Sequence, residues 1–214
     1  MKLVDEKKIL IMLEGTARRI SKAGAPRMVI GGYASVLLED VEGVEQADLE
    51  GDSIVMSALK EAFPRMMSVH SRRNIMAWHT NAQIGEIIEE FTDADGKIWK
   101  SHVVMVPTKQ YPKKGLWILG EIFDDLVEAR RYRRTIEKGD TLAYSIGGEA
   151  IKTMRVCNGS ECTDKITVID LHEVSVCEKG INPESKFRIM KGTISHPALL
   201  ESDTGDELLR FLRK

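Results

Sequence analysis

The sequence has no long apolar run, few cysteines and prolines, little aromatic content and almost no net charge. Each scarcity removes a class of protein. The longest apolar stretches are a few residues, far below the ~20 that span a bilayer, so no membrane association is expected. The apolar stretch Ile9 to Leu13 is too short for the core of a secretory signal, and no small-residue cleavage site follows it. Secretion is therefore not expected. Three cysteines, Cys157, Cys162 and Cys177, are an odd number that does not suggest a disulfide framework. The spacing of Cys157 and Cys162 suits a hairpin, but no second paired cluster completes a metal site with them. They read as free thiols of a cytosolic protein, with no metal. The 31 Lys and Arg against 33 Asp and Glu leave a formal charge of −2, which gives no broad electrostatic warrant for nucleic-acid binding. Six prolines and 17 glycines in 214 residues exclude a collagenous or low-complexity chain.

What is present suits a chain that buries an ordinary core: 43% hydrophobic and 30% charged residues. Residues 1–26 mix charge with short apolar runs and end in Lys22-Ala23-Gly24-Ala25-Pro26, an N-terminal arm and linker. From Arg27 the chain turns β-rich. Met28 to Leu38 is a strand with two glycines. Met56 to Phe63 is helical until Pro64 interrupts it, and Asn74 to His79 is a short strand. Asp95-Gly96 marks a hairpin between Ile84–Phe91 and Lys97–Val106, and Gly115 to Phe123 is a further strand. Ile122, Leu126, Ala129 and Ile136 keep helical spacing, with Asp124 placed to cap the start and Gly139 to stop the helix. Strands return at Leu142–Ile151, Met154–Cys157 and Ile166–Cys177. The expected organisation is a mainly β domain with flanking helices (α+β) over 27–190, and a C-terminal tail over 191–214.

Three constellations could carry chemistry. Ser145 lies in Leu142-Ala143-Tyr144-Ser145-Ile146-Gly147-Gly148, where the two glycines would let backbone amides approach a substrate carbonyl. A strand serine followed by a bulge gives the same pattern, and Ala143 departs from the nucleophile elbow of α/β hydrolases. His79, in Trp78-His79-Thr80-Asn81, sits at a strand end where a base can be exposed yet held by its neighbours. His70 and His102 read as surface residues, and His196 lies in the tail. The third constellation is Asp170-Leu171-His172-Glu173-Val174-Ser175-Val176-Cys177. Strand alternation puts Asp170 and His172 on one face and Leu171 and Glu173 on the other. Asp170, His172 and Glu173 are each chemically able to orient His79, and the pattern alone does not choose among them.

Taken in order, these pieces resemble the prohead (procapsid maturation) proteases of tailed bacteriophages, which are related in fold to the assemblin proteases of herpesviruses. The resemblance covers about residues 27–190. It runs from Ile30-Gly31-Gly32-Tyr33-Ala34-Ser35 through an acidic segment to Gly51-Asp52-Ser53-Ile54. It continues with His79 ahead of Ile84-Gly85, then Gly115-Leu116-Trp117-Ile118-Leu119-Gly120 and the following helix. It closes with Tyr144-Ser145-Ile146-Gly147-Gly148, Leu171-His172-Glu173-Val174-Ser175-Val176 and Asn182-Pro183.

The resemblance implies a small antiparallel β-barrel flanked by helices and a serine endopeptidase without cofactor. It assigns Ser145 as nucleophile, His79 as general base and Glu173 as third member. A histidine fills that third place in the herpesvirus relatives, which keeps His172 as the alternative. Oxyanion donors are expected at Gly147 and Gly148, or from an arginine such as Arg155. The implied substrates are scaffold and major capsid proteins inside the procapsid, in the host cytoplasm, and the protease's own ends. Some family members cut after glutamate with an aliphatic residue two positions earlier, and Leu199-Leu200-Glu201 fits, marking Glu201 for self-cleavage. A homo-oligomer is compatible with this reading. The alternative is a non-enzymatic β-barrel of a phage tail tube or capsid assembly, in which Ser145 and His79 would lie in unrelated surroundings.

Overall fold

A computed structural model describes residues 28–39, 45–46, 48, 51–140, 142–158, 161–178, 180 and 182–193. The expected N-terminal arm, most of the tail, and with them Glu201 and His196, lie outside the described residues. In chain order the elements are β1 (Met28–Val36), β2 (Leu38–Glu39), β3 (Glu45–Gln46), β4 (Asp52–Ile54), α1 (Met56–Ser68), β5 (Asn74–Ala77), β6 (Gln83–Ile88), β7 (Glu90–Asp93), β8 (Ile98–Lys100) and β9 (His102–Val104). There follow β10 (Gly115–Ile122), α2 (Val127–Glu137), β11 (Ala143–Asn158), β12 (Glu161–Cys177), β13 (Phe187–Met190) and β14 (Gly192–Thr193). Over the described residues the protein is mainly β with two α-helices, an α+β architecture.

The main sheet has the order β11-β12-β5-β6-β10-β1-β13, with β4 added to β12 and β9 to β10. It is mixed, because β12 runs parallel to β4 and β5 while its other neighbour, β11, is antiparallel. The expectation of an antiparallel barrel is corrected on both counts: the sheet is neither purely antiparallel nor closed. Its two ends approach through a single bridge, Ala143 to Lys186, and a 2.8 Å bond from the Tyr144 amide to the Ser185 carbonyl. No ladder follows, because β13 spends its pairing groups on β1, from Val29 to Gly32.

β1 reads as a continuous apolar run because both its faces are covered. Ile30 and Ala34 enter one cluster with α1, β5, β11 and β12. Val29 and Tyr33 enter a second cluster with Phe91, Trp99, Tyr111 and Trp117. In that second cluster the Trp99 and Trp117 rings stack at 5.4 Å and Tyr33 meets Trp117 edge-on at 5.1 Å, geometries that add to plain area burial. Among the described residues no helix is long and apolar enough to cross a membrane.

Two helix boundaries differ from expectation. α1 continues through Pro64 to Ser68. Pro64 is exposed, whereas Phe63 and Met66 are buried, so apolar anchoring on both sides holds the helix across the lost amide bond. α2 begins at Val127 with Leu126 in the cap position and no side-chain cap, and Ile122 belongs to β10. Asp124 instead offers its backbone carbonyl to Arg130 at 3.2 Å. The end of α2 is as read: Gly139 takes φ 80°, which favours glycine after a helix terminus.

The strands expected at Leu142–Ile151 and Met154–Cys157 are one element, β11, paired along its length with β12. That pairing sets Cys157 opposite Cys162, and the two form a disulfide. The expectation of three free thiols is corrected accordingly: cross-strand neighbours at a hairpin end are already within bonding reach. Cys177 alone is free, and it is buried.

Candidate active site

The register of β11 and β12 builds the site. Ser145 lies directly opposite Ser175, and Gly147 opposite Glu173. Alternation puts these four positions on one face, away from Tyr144, Val174 and Val176, which are buried in the core. The Tyr144 hydroxyl donates to the Ile30 carbonyl at 3.2 Å and fixes the strand beside Ser145. Burial pushes that phenol well above its ordinary pKa.

Gly147 has a specific steric role. A Cβ there would come within 2.7 Å of Glu173 Cγ, so only glycine lets the Glu173 side chain lie across β11. Gly148 follows a register shift, and a Cβ on it would strike the Asp170 carbonyl at 2.3 Å. Of the two expected oxyanion donors, Gly148 lines the cavity beside Ser145, while Gly147 makes room for the carboxylate.

His79 comes from the turn between β5 and β6. Trp78 and His79 both adopt left-handed backbone, with φ of 48° and 52°. Such conformations cost about 1–3 kcal/mol each for residues with a side chain and persist only where the surroundings hold them. Here the Trp78 amide donates to the Val176 carbonyl at 3.1 Å and the His79 amide to Ser175 Oγ at 2.9 Å. β12 therefore grips the turn at two successive residues. Trp78 itself remains 48% exposed beside the site.

The result is a chain of hydrogen bonds. His79 Nε2 lies 2.9 Å from Ser145 Oγ, and His79 Nδ1 lies 2.9 Å from Glu173 Oε1. A carboxylate only accepts, so Nδ1 carries the proton and Nε2 is left to accept from the serine hydroxyl. Ser175, fully buried, donates to the same Glu173 oxygen at 3.1 Å. It thereby ties the backbone of the imidazole residue to the carboxylate that orients its ring. In the sequence Ser175 stands out only as one residue of Leu171-His172-Glu173-Val174-Ser175-Val176, and the signal for its role is that alternation puts it on the strand face of Glu173.

The other two candidates for the third position lie elsewhere. His172 Nε2 donates to Asp170 Oδ2 at 3.1 Å, and Arg72 donates to Asp170 Oδ1 at 2.7 Å. Arg72 first, then His172, hold the Asp170 carboxyl below its ordinary pKa. The expectation that Leu171 and Glu173 share a face is corrected by the register shift at Gly147/Gly148. His172 is the extra residue on β12, so the strand changes phase there and Leu171 packs in the core with Val174.

Arg155 lies ten residues along β11 from Ser145, is 70% exposed and faces Asp164 at 4.0 Å, which removes it as an oxyanion donor. His70 meets Glu86 at 3.5 Å on the surface, and His102 bonds to the Lys100 carbonyl at 2.9 Å. Cys177 is a poor nucleophile in this setting. Burial and the Glu173 charge push its thiol up to about 11. Among the described residues no group of three or more His, Cys, Asp or Glu is disposed to hold a metal ion.

A cavity of about 210 Å³ opens beside Ser145, between the end of β1, the bent part of β11 and β4. It is smaller than the roughly 300–1,000 Å³ of typical small-molecule pockets. Comparison of the chain with models of known protein families and with curated protein sequences finds no match to either.

Proposed function

We propose that the protein is a serine endopeptidase that processes scaffold and capsid proteins, and its own ends, during procapsid maturation. The observation that carries this reading is the unbroken line Ser145–His79–Glu173, with both links at 2.9 Å, at the edge of a cavity. A serine, an imidazole and a carboxylate in that order are what acyl transfer needs. A structural barrel subunit gives no reason for that alignment, nor for two left-handed residues spent to achieve it.

In the proposed mechanism the Ser145 hydroxyl attacks the scissile carbonyl carbon as its proton passes to His79 Nε2. The carbonyl electrons move to oxygen. Collapse of the tetrahedral species breaks the C–N bond, and the imidazolium protonates the departing amine. Water then repeats the sequence on the acyl-enzyme, with His79 again as base. Glu173 holds the ring in the correct tautomer and stabilises its charge, while Ser175 holds Glu173. The Gly148 backbone at the cavity is the oxyanion donor in this scheme. The viral setting rests on the sequence resemblance, and with it the location inside a procapsid in the host cytoplasm.

The test is co-expression of the wild type or Ser145→Ala with the capsid and scaffold proteins of the same genome, read by intact mass. Discrete cuts that vanish in Ser145→Ala are expected. Identical masses in both, with folded protein, would contradict the proposal.

A further inference from the structure

The cavity beside Ser145 joins apolar walls to acidic groups. Ile146, Ile166 and Ile169 are part of its apolar lining, a surface for methylene groups, while Ser35 and Asn182 add neutral polar groups. Asp48, Asp52 and Ser53 line it at β4, and no Lys, Arg or His lines it among the described residues.

Asp52 supplies the charge. Asp48 is already engaged with β4, its Oδ1 accepting from the Asp52 amide at 3.2 Å. The Asp52 carboxylate has no side-chain or backbone donor among the described residues. Burial first, then Asp48 and Asp164, push its carboxyl above the ordinary range, the condition of a carboxylate crowded by like charge and short of a cation. The sequence reinforces this. From 39 to 52 the chain carries four Glu and three Asp and no Lys, Arg or His. No counter-charge is supplied from within the segment that joins β1 to β4.

We propose that this cavity is the substrate groove of the site and selects a polypeptide bearing a lysine or arginine close to the scissile bond. The aliphatic stem lies on the isoleucines and the charged end is taken by Asp52. A basic side chain is the group that meets both demands together: methylenes for the apolar walls and a positive charge for Asp52. This inference rests on the endopeptidase reading and refines it. It runs against cleavage directed by glutamate, and therefore against a cut after Glu201, because a carboxylate in this groove would face Asp52 unshielded.

The experiment uses the full chain and two separate readouts. A fluorophosphonate probe first reports whether Ser145 is an activated nucleophile, independently of any peptide. A panel of peptides then carries Lys, Gln or Glu at each of the four positions on either side of a fixed bond. At one position Lys is expected to exceed Glu by about thirtyfold or more in kcat/KM. Asp52→Asn is expected to erase most of that preference, and Asp52→Lys to transfer it to Glu, a gain that a misfolded variant cannot show. Labelled Ser145 with cleavage indifferent to Lys, or with a Lys preference that survives Asp52→Asn, would overturn the groove and leave the endopeptidase standing. No labelling and no cleavage by folded protein would overturn both.

Discussion

Near the sheet, residues 143–150 of β11 face 169–177 of β12, with Tyr144, Leu171, Val174 and Val176 buried on one side and Ser145, Gly147, Glu173 and Ser175 gathered on the other. Farther out, residues 152–158 and 161–168 keep the same ladder, but β11 is exposed over 152–157, Met154 at 52% and Val156 at 39%. The hydrogen bonding of the two halves is alike; their support is not. The inner half is clamped by β5, which pairs with Val174 to Val176 and brings the His79 turn with it. Among the described residues the outer half has only the three residues of β4 paired beside β12, and it ends in the Cys157–Cys162 disulfide. A backbone ladder alone does not place a side chain to a few tenths of an ångström. Packing on the far face and a neighbouring strand do.

Substitutions in the two halves should therefore read out differently. The largest effect is expected from Glu173→Gln, which keeps the volume but loses the charge at His79. Peptidase activity should fall by about 10²–10⁴, with a melting temperature close to the wild type. Gly147→Ala should approach the same loss by displacing Glu173, since its Cβ would meet Glu173 Cγ at 2.7 Å. Wild-type activity in Gly147→Ala would break the argument that the glycine exists for the carboxylate.

Ser175→Ala removes one bond to the carboxylate and one from the His79 amide. An activity loss of roughly tenfold to a hundredfold is expected from hydrogen bonds to a charged group, measured as kcat at saturating peptide. In the outer half, Cys157→Ser with Cys162→Ser should leave activity unchanged and lower stability by about 2 kcal/mol, the loop-closure value for so short a loop. Denaturant unfolding of the two forms measures it.

The smallest effect belongs to the boundary between the halves. Arg72 and His172 depress the Asp170 carboxyl, so its contribution is present above the unfolded carboxylate range and lost as pH falls through the lower folded value. Asp170→Asn should flatten that acid limb of a stability–pH curve and change nothing near pH 7 in catalysis.

The residue types of the site are legible in the sequence; that Ser145, His79 and Glu173 meet is implied by the resemblance alone and by no pattern or spacing in the chain. Ser145 and His79 are 66 positions apart, and His79 and Glu173 are 94 apart. What joins them is register, which a one-residue slip would destroy. Gly147-Gly148 was read as an aid to an oxyanion. Its use in accommodating Glu173 needs the knowledge that the two residues are cross-strand partners. The extra residue at His172 has no glycine or proline to announce it, so alternation counted through it gave Leu171 the wrong face.

The disulfide was not legible from the turn signal. A two-residue turn centred on Asn158-Gly159 sets Cys157 opposite Ser160, whereas the register pairs Asn158 with Glu161 and so brings Cys157 opposite Cys162. The open sheet was out of reach, because closure depends on which strand β13 joins, and its four residues carry no mark of their partner. The acidic stretch before β4 is visible as composition, but that Asp48 and Asp52 line the cavity beside Ser145 emerges only from the fold.

The most direct test of the central claim is covalent. The folded full-length chain is treated with a fluorophosphonate, and the adduct is located by peptide mass mapping in the wild type and in His79→Ala. The account predicts a single adduct on Ser145 that is lost, or slowed by at least about a thousandfold, when His79 is replaced. An unlabelled Ser145 in folded protein, or labelling indifferent to His79, would contradict it.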